Sequence, residues 1–137
     1  MEPRYEFRTP RGLFDRRPRH IFKVGDISEP NSQSTFAFSG RVRHERHDED
    51  VFVSDMAVYP GLKYLAASQE HLKFSLPVPH PGHDAFRGCS GSPVVDIERR
   101  IVGLLTSGDE ATNTVVGIAI QRCIPGLKFL CEARNET

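Results

Sequence analysis

The sequence has no tryptophan, two methionines and three cysteines, and its 18 basic and 18 acidic side chains cancel to a net charge of zero. A neutral chain has no overall field drawing it to nucleic acid or to a membrane surface, so neither is expected as a partner. Cys89, Cys123 and Cys131 form an odd set without C-x-x-C spacing. That speaks against a disulfide framework or a cysteine-rich metal site and favours a reducing compartment. No apolar run approaches the roughly 20 residues of a membrane-spanning helix. The N-terminus lacks the apolar core of a signal peptide, so a cytoplasmic location is expected.

What remains is a chain of 137 residues, 38% hydrophobic, which suits one domain with a modest core. Residues 1–33 are rich in Arg, Pro and Gly, with six arginines in the first twenty positions against Glu2, Glu6 and Asp15. This reads as an extended, solvated arm or linker. From residue 34 onward, strand-like alternation recurs at 35–43, 51–59, 71–76, 93–97, 101–107 and 114–121. Pro60-Gly61 and the three prolines of 77–81 stand as terminators. The segment 62–70 is ambiguous, its Leu62, Leu65 and Ala66 matching one short helical turn, and Leu127, Leu130 and Cys131 predict a short C-terminal helix from Ile124. Six short strands with regular turn signals indicate an all-β antiparallel barrel or sandwich, closed by that helix.

The chemistry concentrates in Phe86-Arg87-Gly88-Cys89-Ser90-Gly91-Ser92-Pro93. Glycines on both sides of Ser90 permit a sharp turn that presents its hydroxyl outward. In such a turn the amides of Gly88 and Ser90 can face one side, where a developing oxyanion would be stabilised.

The motif Gly88-x-Ser90-Gly91-x-Pro93 resembles the nucleophile signature of the chymotrypsin/trypsin-like serine proteases. Ile101–Gly108 resembles the strand that lines that family's substrate groove, Val116–Ile120 the next strand, and Ile124–Glu132 the terminal helix. The resemblance is to the C-terminal barrel of the family, so the implied fold is a single six-stranded antiparallel trypsin-like barrel over 34–137, with residues 1–33 as an arm or inter-barrel linker. It implies a serine endopeptidase in which Ser90 forms an acyl-enzyme and the Gly88 and Ser90 amides make the oxyanion hole. Thr106, Ser107 and Gly108 would pair with substrate backbone, Gly108 and Gly117 would wall the specificity pocket, and Asp84, six residues before Ser90, would bind a basic side chain. The partner implied is a peptide or protein substrate, and neither cofactor nor metal is called for.

Three departures limit that expectation. The family carries its histidine and aspartate on an N-terminal barrel, and the residues before Thr35 are too few to build one. The family's histidine follows a small residue and alanine, whereas the six histidines here follow Arg19, Arg43, Arg46, Glu70, Pro79 and Gly82. Cys89 also stands where precursor-activated members place an aspartate. A serine without a base is a weak nucleophile, so little turnover is expected from this chain alone. A second chain or barrel would supply His and Asp, or His20 or His83 would form an unusual site. The alternative is a non-catalytic peptide-binding or interaction module. His44 and His47 beside Asp48–Asp50, and the pair His80 and His83, read as a solvated hairpin tip and a loop rather than metal sites. An isolated barrel would also expose the apolar face that meets its sister.

Overall fold

A computed structural model describes residues 4–8, 14–18, 22–48 and 51–135. Its centre is a closed barrel of six antiparallel strands: β3 (Thr35–Asp48), β4 (Val51–Ser68), β5 (His71–Ser75), β6 (Pro93–Asp96), β7 (Ile101–Asp109) and β8 (Thr114–Ala119). The order around the barrel is β3-β4-β5-β8-β7-β6, with β6 returning to β3. Each half is therefore a three-stranded meander. The halves are joined by β5 on β8, with Phe74 opposite Val115, and by β3 on β6, with Ala37 opposite Val95.

Burial, alternating with period two along β3, β5 and β6, fills the interior. Phe36 and Phe38 of β3, Leu72 and Phe74 of β5, Val94 of β6, Val102 and Leu105 of β7 and Val115 of β8 all point inward. Each such side chain contributes about 1.5–3 kcal/mol when fully buried. Phe36 meets Phe74 at a centroid distance of 5.3 Å, and Phe38 stacks on Tyr59 at 4.9 Å. A four-residue helix, α1 (His83–Phe86), caps this aromatic group: Phe86 lies edge-on to Tyr59 at 4.8 Å, and the Tyr59 hydroxyl donates to the Ala85 carbonyl at 3.2 Å.

Several expectations change. Pro60-Gly61 does not end the second strand. The register passes from Phe36 opposite Leu62 to Phe38 opposite Tyr59, so β4 carries one extra residue there, and Gly61 takes φ +80°. A bulge of this kind frees the ladder position that proline cannot serve. The segment 62–70 is accordingly strand through Ser68 rather than a helical turn: Leu62 and Tyr64 face the core while Lys63 and Leu65 are exposed. In the N-terminal segment, Arg4–Arg8 (β1) pairs antiparallel with Phe14–Pro18 (β2). Further on, a 3-10 turn at Val24–Asp26 is followed by a parallel bridge from Ile27 to Ile101 that ties this segment to the start of β7. The last strand ends at Ala119, whose amide donates to the Glu70 carbonyl at 2.8 Å, and helix α2 (Ile120–Asn135) starts at once, enclosing Pro125.

Candidate functional site

The turn that carries Ser90 is built from local hydrogen bonds and two left-handed glycines. The Cys89 amide donates to the Phe86 carbonyl at 3.0 Å and the Ser92 amide to the Cys89 carbonyl at 3.0 Å. Gly88 has φ +91° and Gly91 φ +82°, values that cost an L side chain roughly 1–2 kcal/mol. Cys89 points inward and is fully buried, and burial pushes its thiol pKa up. Ser90, the next residue, is exposed. Among the described residues, neither the Gly88 nor the Ser90 amide has a backbone acceptor, so both remain available as donors.

The turn is clamped to β7. Gly91 donates to the Leu105 carbonyl at 2.7 Å and Leu105 donates back to the Ser92 carbonyl at 2.8 Å. β6 pairs with β7 only as far as Pro93 opposite Leu104. Beyond Leu105, β7 continues against β8 on one side, with Ser107 opposite Val116 and Gly108 opposite Val115. Its other edge faces no strand among the described residues, and that edge lies beside Ser90. An unpaired edge is a template for an added peptide strand.

Between the serine turn and this edge lies a cavity of about 260 Å³ lined by His83, Phe86, Arg87, Ser90, Leu105 and Thr106–Gly108. The structure thus gathers Ser90, Thr106, Ser107 and Gly108 around one cavity. It places two other candidates elsewhere. Asp84 sits on α1 with its side chain 96% exposed and 3.6 Å from Arg87 Nη2, outside the lining. Gly117 is buried in β8, where a Cβ would lie 2.9 Å from the Leu104 carbonyl oxygen. The Thr106 hydroxyl donates to the Val116 carbonyl at 3.1 Å.

Sequence reasoning weighed His83 as an unusual partner for Ser90, but did not assign Phe86 and Arg87 to the pocket. The usable signal was Gly82, whose φ of +95° starts the short α1 turn that swings them there. No hydrogen bond joins Ser90 to a histidine among the described residues. His20 lies outside them, as do Glu49 and Asp50 of the predicted hairpin tip. No three His, Cys, Asp or Glu side chains among the described residues converge as metal ligands.

On the outer barrel face, Phe22, Ala37, Val58, Pro93 and Val95 line a larger, mainly apolar groove of about 430 Å³. No helix among the described residues is long and apolar enough to cross a membrane. No family model matches the chain, and neither a curated protein nor a solved structure matches it.

Proposed function

We propose that the chain is the serine-bearing, peptide-binding barrel of a trypsin-like serine endopeptidase. The observation that carries this reading is the exposed Ser90, with two amides in its turn and a neighbouring β7 edge that find no partner among the described residues, beside a side-chain cavity. A substrate strand laid along Thr106–Gly108 would bring a carbonyl over Ser90. The hydroxyl oxygen would attack that carbon, and the Gly88 and Ser90 amides would receive the charge that develops on oxygen. Attack requires a base to take the hydroxyl proton. In this reading the base comes from a second barrel or chain carrying His and Asp, and the apolar groove at Ala37, Val58 and Val95 is the face it would cover.

A second reading, a peptide-binding module without turnover, is favoured by one observation: Ser90 has no histidine partner among the described residues. Two measurements separate these. A fluorophosphonate probe, read by intact mass against Ser90→Ala, reports whether Ser90 is activated within this chain. Amide hydrogen exchange with an added extended peptide reports whether Thr106–Gly108 become protected. Protection without an adduct identifies a groove whose base must be supplied from outside. An adduct lost in Ser90→Ala but kept in His83→Ala excludes His83 as the base. The absence of both adduct and protection overturns the proposal.

A further inference from the structure

The side chain that the cavity accepts can be read from its lining, on the assumption that the groove is the peptide site proposed above. The Arg87 guanidinium and the His83 imidazole, both N–H donors, line the cavity, and no carboxylate does. Asp84, on the same short helix as His83, meets Arg87 at 3.6 Å with both side chains largely exposed, 96% and 80%. Such a pair is worth little, and the guanidinium keeps donors to spare. Ser107 adds a hydroxyl that makes no internal hydrogen bond among the described residues.

The wall behind Gly108 adds a second, independent observation. His80 is 8% exposed, and its Nδ1 accepts the Gly82 amide at 3.0 Å. An accepting Nδ1 leaves the proton of a neutral ring on Nε2. That Nε2 is buried without an acceptor among the described residues. It also lies against Gly108, where an added Cβ would come within 2.5 Å of it. An unpaired buried donor is costly and leaves its partial positive charge uncompensated. Here that charge sits directly behind the cavity wall. The His80 ring also packs on Phe86 at 4.6 Å, which holds it there.

We infer that the cavity beside Ser90 binds an acidic side chain, so that the chain selects peptides with Glu or Asp at the residue whose carbonyl is offered to Ser90. Arg87, His83 and the Ser107 hydroxyl face the carboxylate, and the orphan His80 donor adds to the field from behind. A lysine or arginine in the same place would meet the Arg87 guanidinium and no carboxylate among the residues that line the cavity. This reverses the preference that Asp84 would impose if it stood at the pocket floor.

The test uses the full chain carrying Ser90→Ala, which prevents turnover, and acetylated, amidated alanine pentapeptides with Glu, Gln, Lys or Phe at the fifth position. Binding is followed by NMR chemical-shift titration. The glutamate peptide is expected to bind about tenfold tighter than the glutamine peptide, the size of one added charge-assisted hydrogen bond. Arg87→Glu, a change at an exposed position, is expected to move the preference to the lysine peptide. Equal binding of the glutamate and glutamine peptides, or a preference for lysine without that substitution, overturns the acidic selectivity and leaves the groove standing. Binding of none of the peptides by a folded chain removes the groove itself, and the selectivity with it.

Discussion

The sulfur of Cys89 is packed against the backbone of Gly40, so closely that a Cβ on Gly40 would lie 2.5 Å from Sγ and 3.0 Å from the Cys89 Cα. This contact fastens the serine turn to β3, while the clamp to Leu105 fastens it to β7. Ser90 is thus held from two sides by residues that do no chemistry.

Gly40→Ala is accordingly expected to destabilise the fold by about 1–3 kcal/mol through overpacking. Cys89→Ala removes the nearest atom that a new Cβ would strike, leaving only the Cα and Cβ contacts at 3.0 and 3.1 Å. The double variant should therefore be more stable than the sum of the two single losses, by about 0.5 kcal/mol or more. Urea denaturation of all four forms measures this, and strict additivity would show that the two residues do not share the contact.

The buried Cys89 thiol, its pKa raised by desolvation, is expected to be inert in the native state. A thiol reagent should label it only as the chain unfolds, at a rate that tracks denaturant. The linkage has a definite sign. The folded state keeps a proton that the unfolded chain releases, so this contribution to stability is complete below the unfolded thiol's pKa of about 8.5. It is lost as pH rises toward the folded value. Stability that stays flat across alkaline pH in the native sequence, relative to Cys89→Ser, would contradict it.

Asp109 ends β7 and behaves in the opposite direction. Its side-chain hydrogen bond with Thr112 is the largest influence lowering its pKa, supported by the Thr112 and Ala111 amides and by the charge of Lys73. The carboxylate form is therefore the one favoured by folding. Its contribution is present above the unfolded carboxyl's range and fades as pH falls through the folded value. An NMR titration should place the Asp109 midpoint below that of an ordinary aspartate, and Thr112→Val should move it upward. No movement would mean that the neighbouring amides alone set it.

Asp96 closes the turn between β6 and β7. Its Oδ1 accepts the Glu98 and Arg100 amides at 2.9 Å each, and its Oδ2 accepts Arg100 Nε at 3.0 Å. Asp96→Ala should cost about 2–3 kcal/mol, since two amides and a guanidinium lose a buried acceptor at once. Asp96→Asn, which keeps an oxygen for the amides, should cost less. Arg100→Ala should cost less again, because that side chain is 46% exposed. Thermal melts of the three variants give the order, and an equal loss in all three would make the ion pair, rather than the turn, the dominant element.

Legibility from sequence followed how local each feature is. The alternation through Phe36 and Phe38, and through Leu72 and Phe74, marked strands correctly because a pleated strand needs nothing beyond its own period to show its inner face. The turn Glu98-Arg99-Arg100 was likewise legible. The continuation of β4 past residue 59 was not, because Pro60-Gly61 is a stop signal in isolation and becomes a bulge only when β3 lies alongside to absorb the extra residue. Leu62, Leu65 and Ala66 fit a helical spacing equally well, and pairing with β5 decided for the strand.

The site divides in the same way. Gly88, Ser90 and Gly91 specify by themselves an exposed serine in a tight turn, since the left-handed φ values are a local property of glycine. Sequence alone could not place Arg87 and His83 at the cavity or send Asp84 out to solvent. Nor could it set a buried imidazole 28 residues earlier in the chain against Gly108 (residues 80 and 108). Those arrangements depend on hydrogen bonds between Gly91 and Leu105 and on Phe86 packing against Tyr59 and His80. The sequence determined which group is presented, and the tertiary structure decided what surrounds it, because the surroundings come from strands that meet only when the barrel closes.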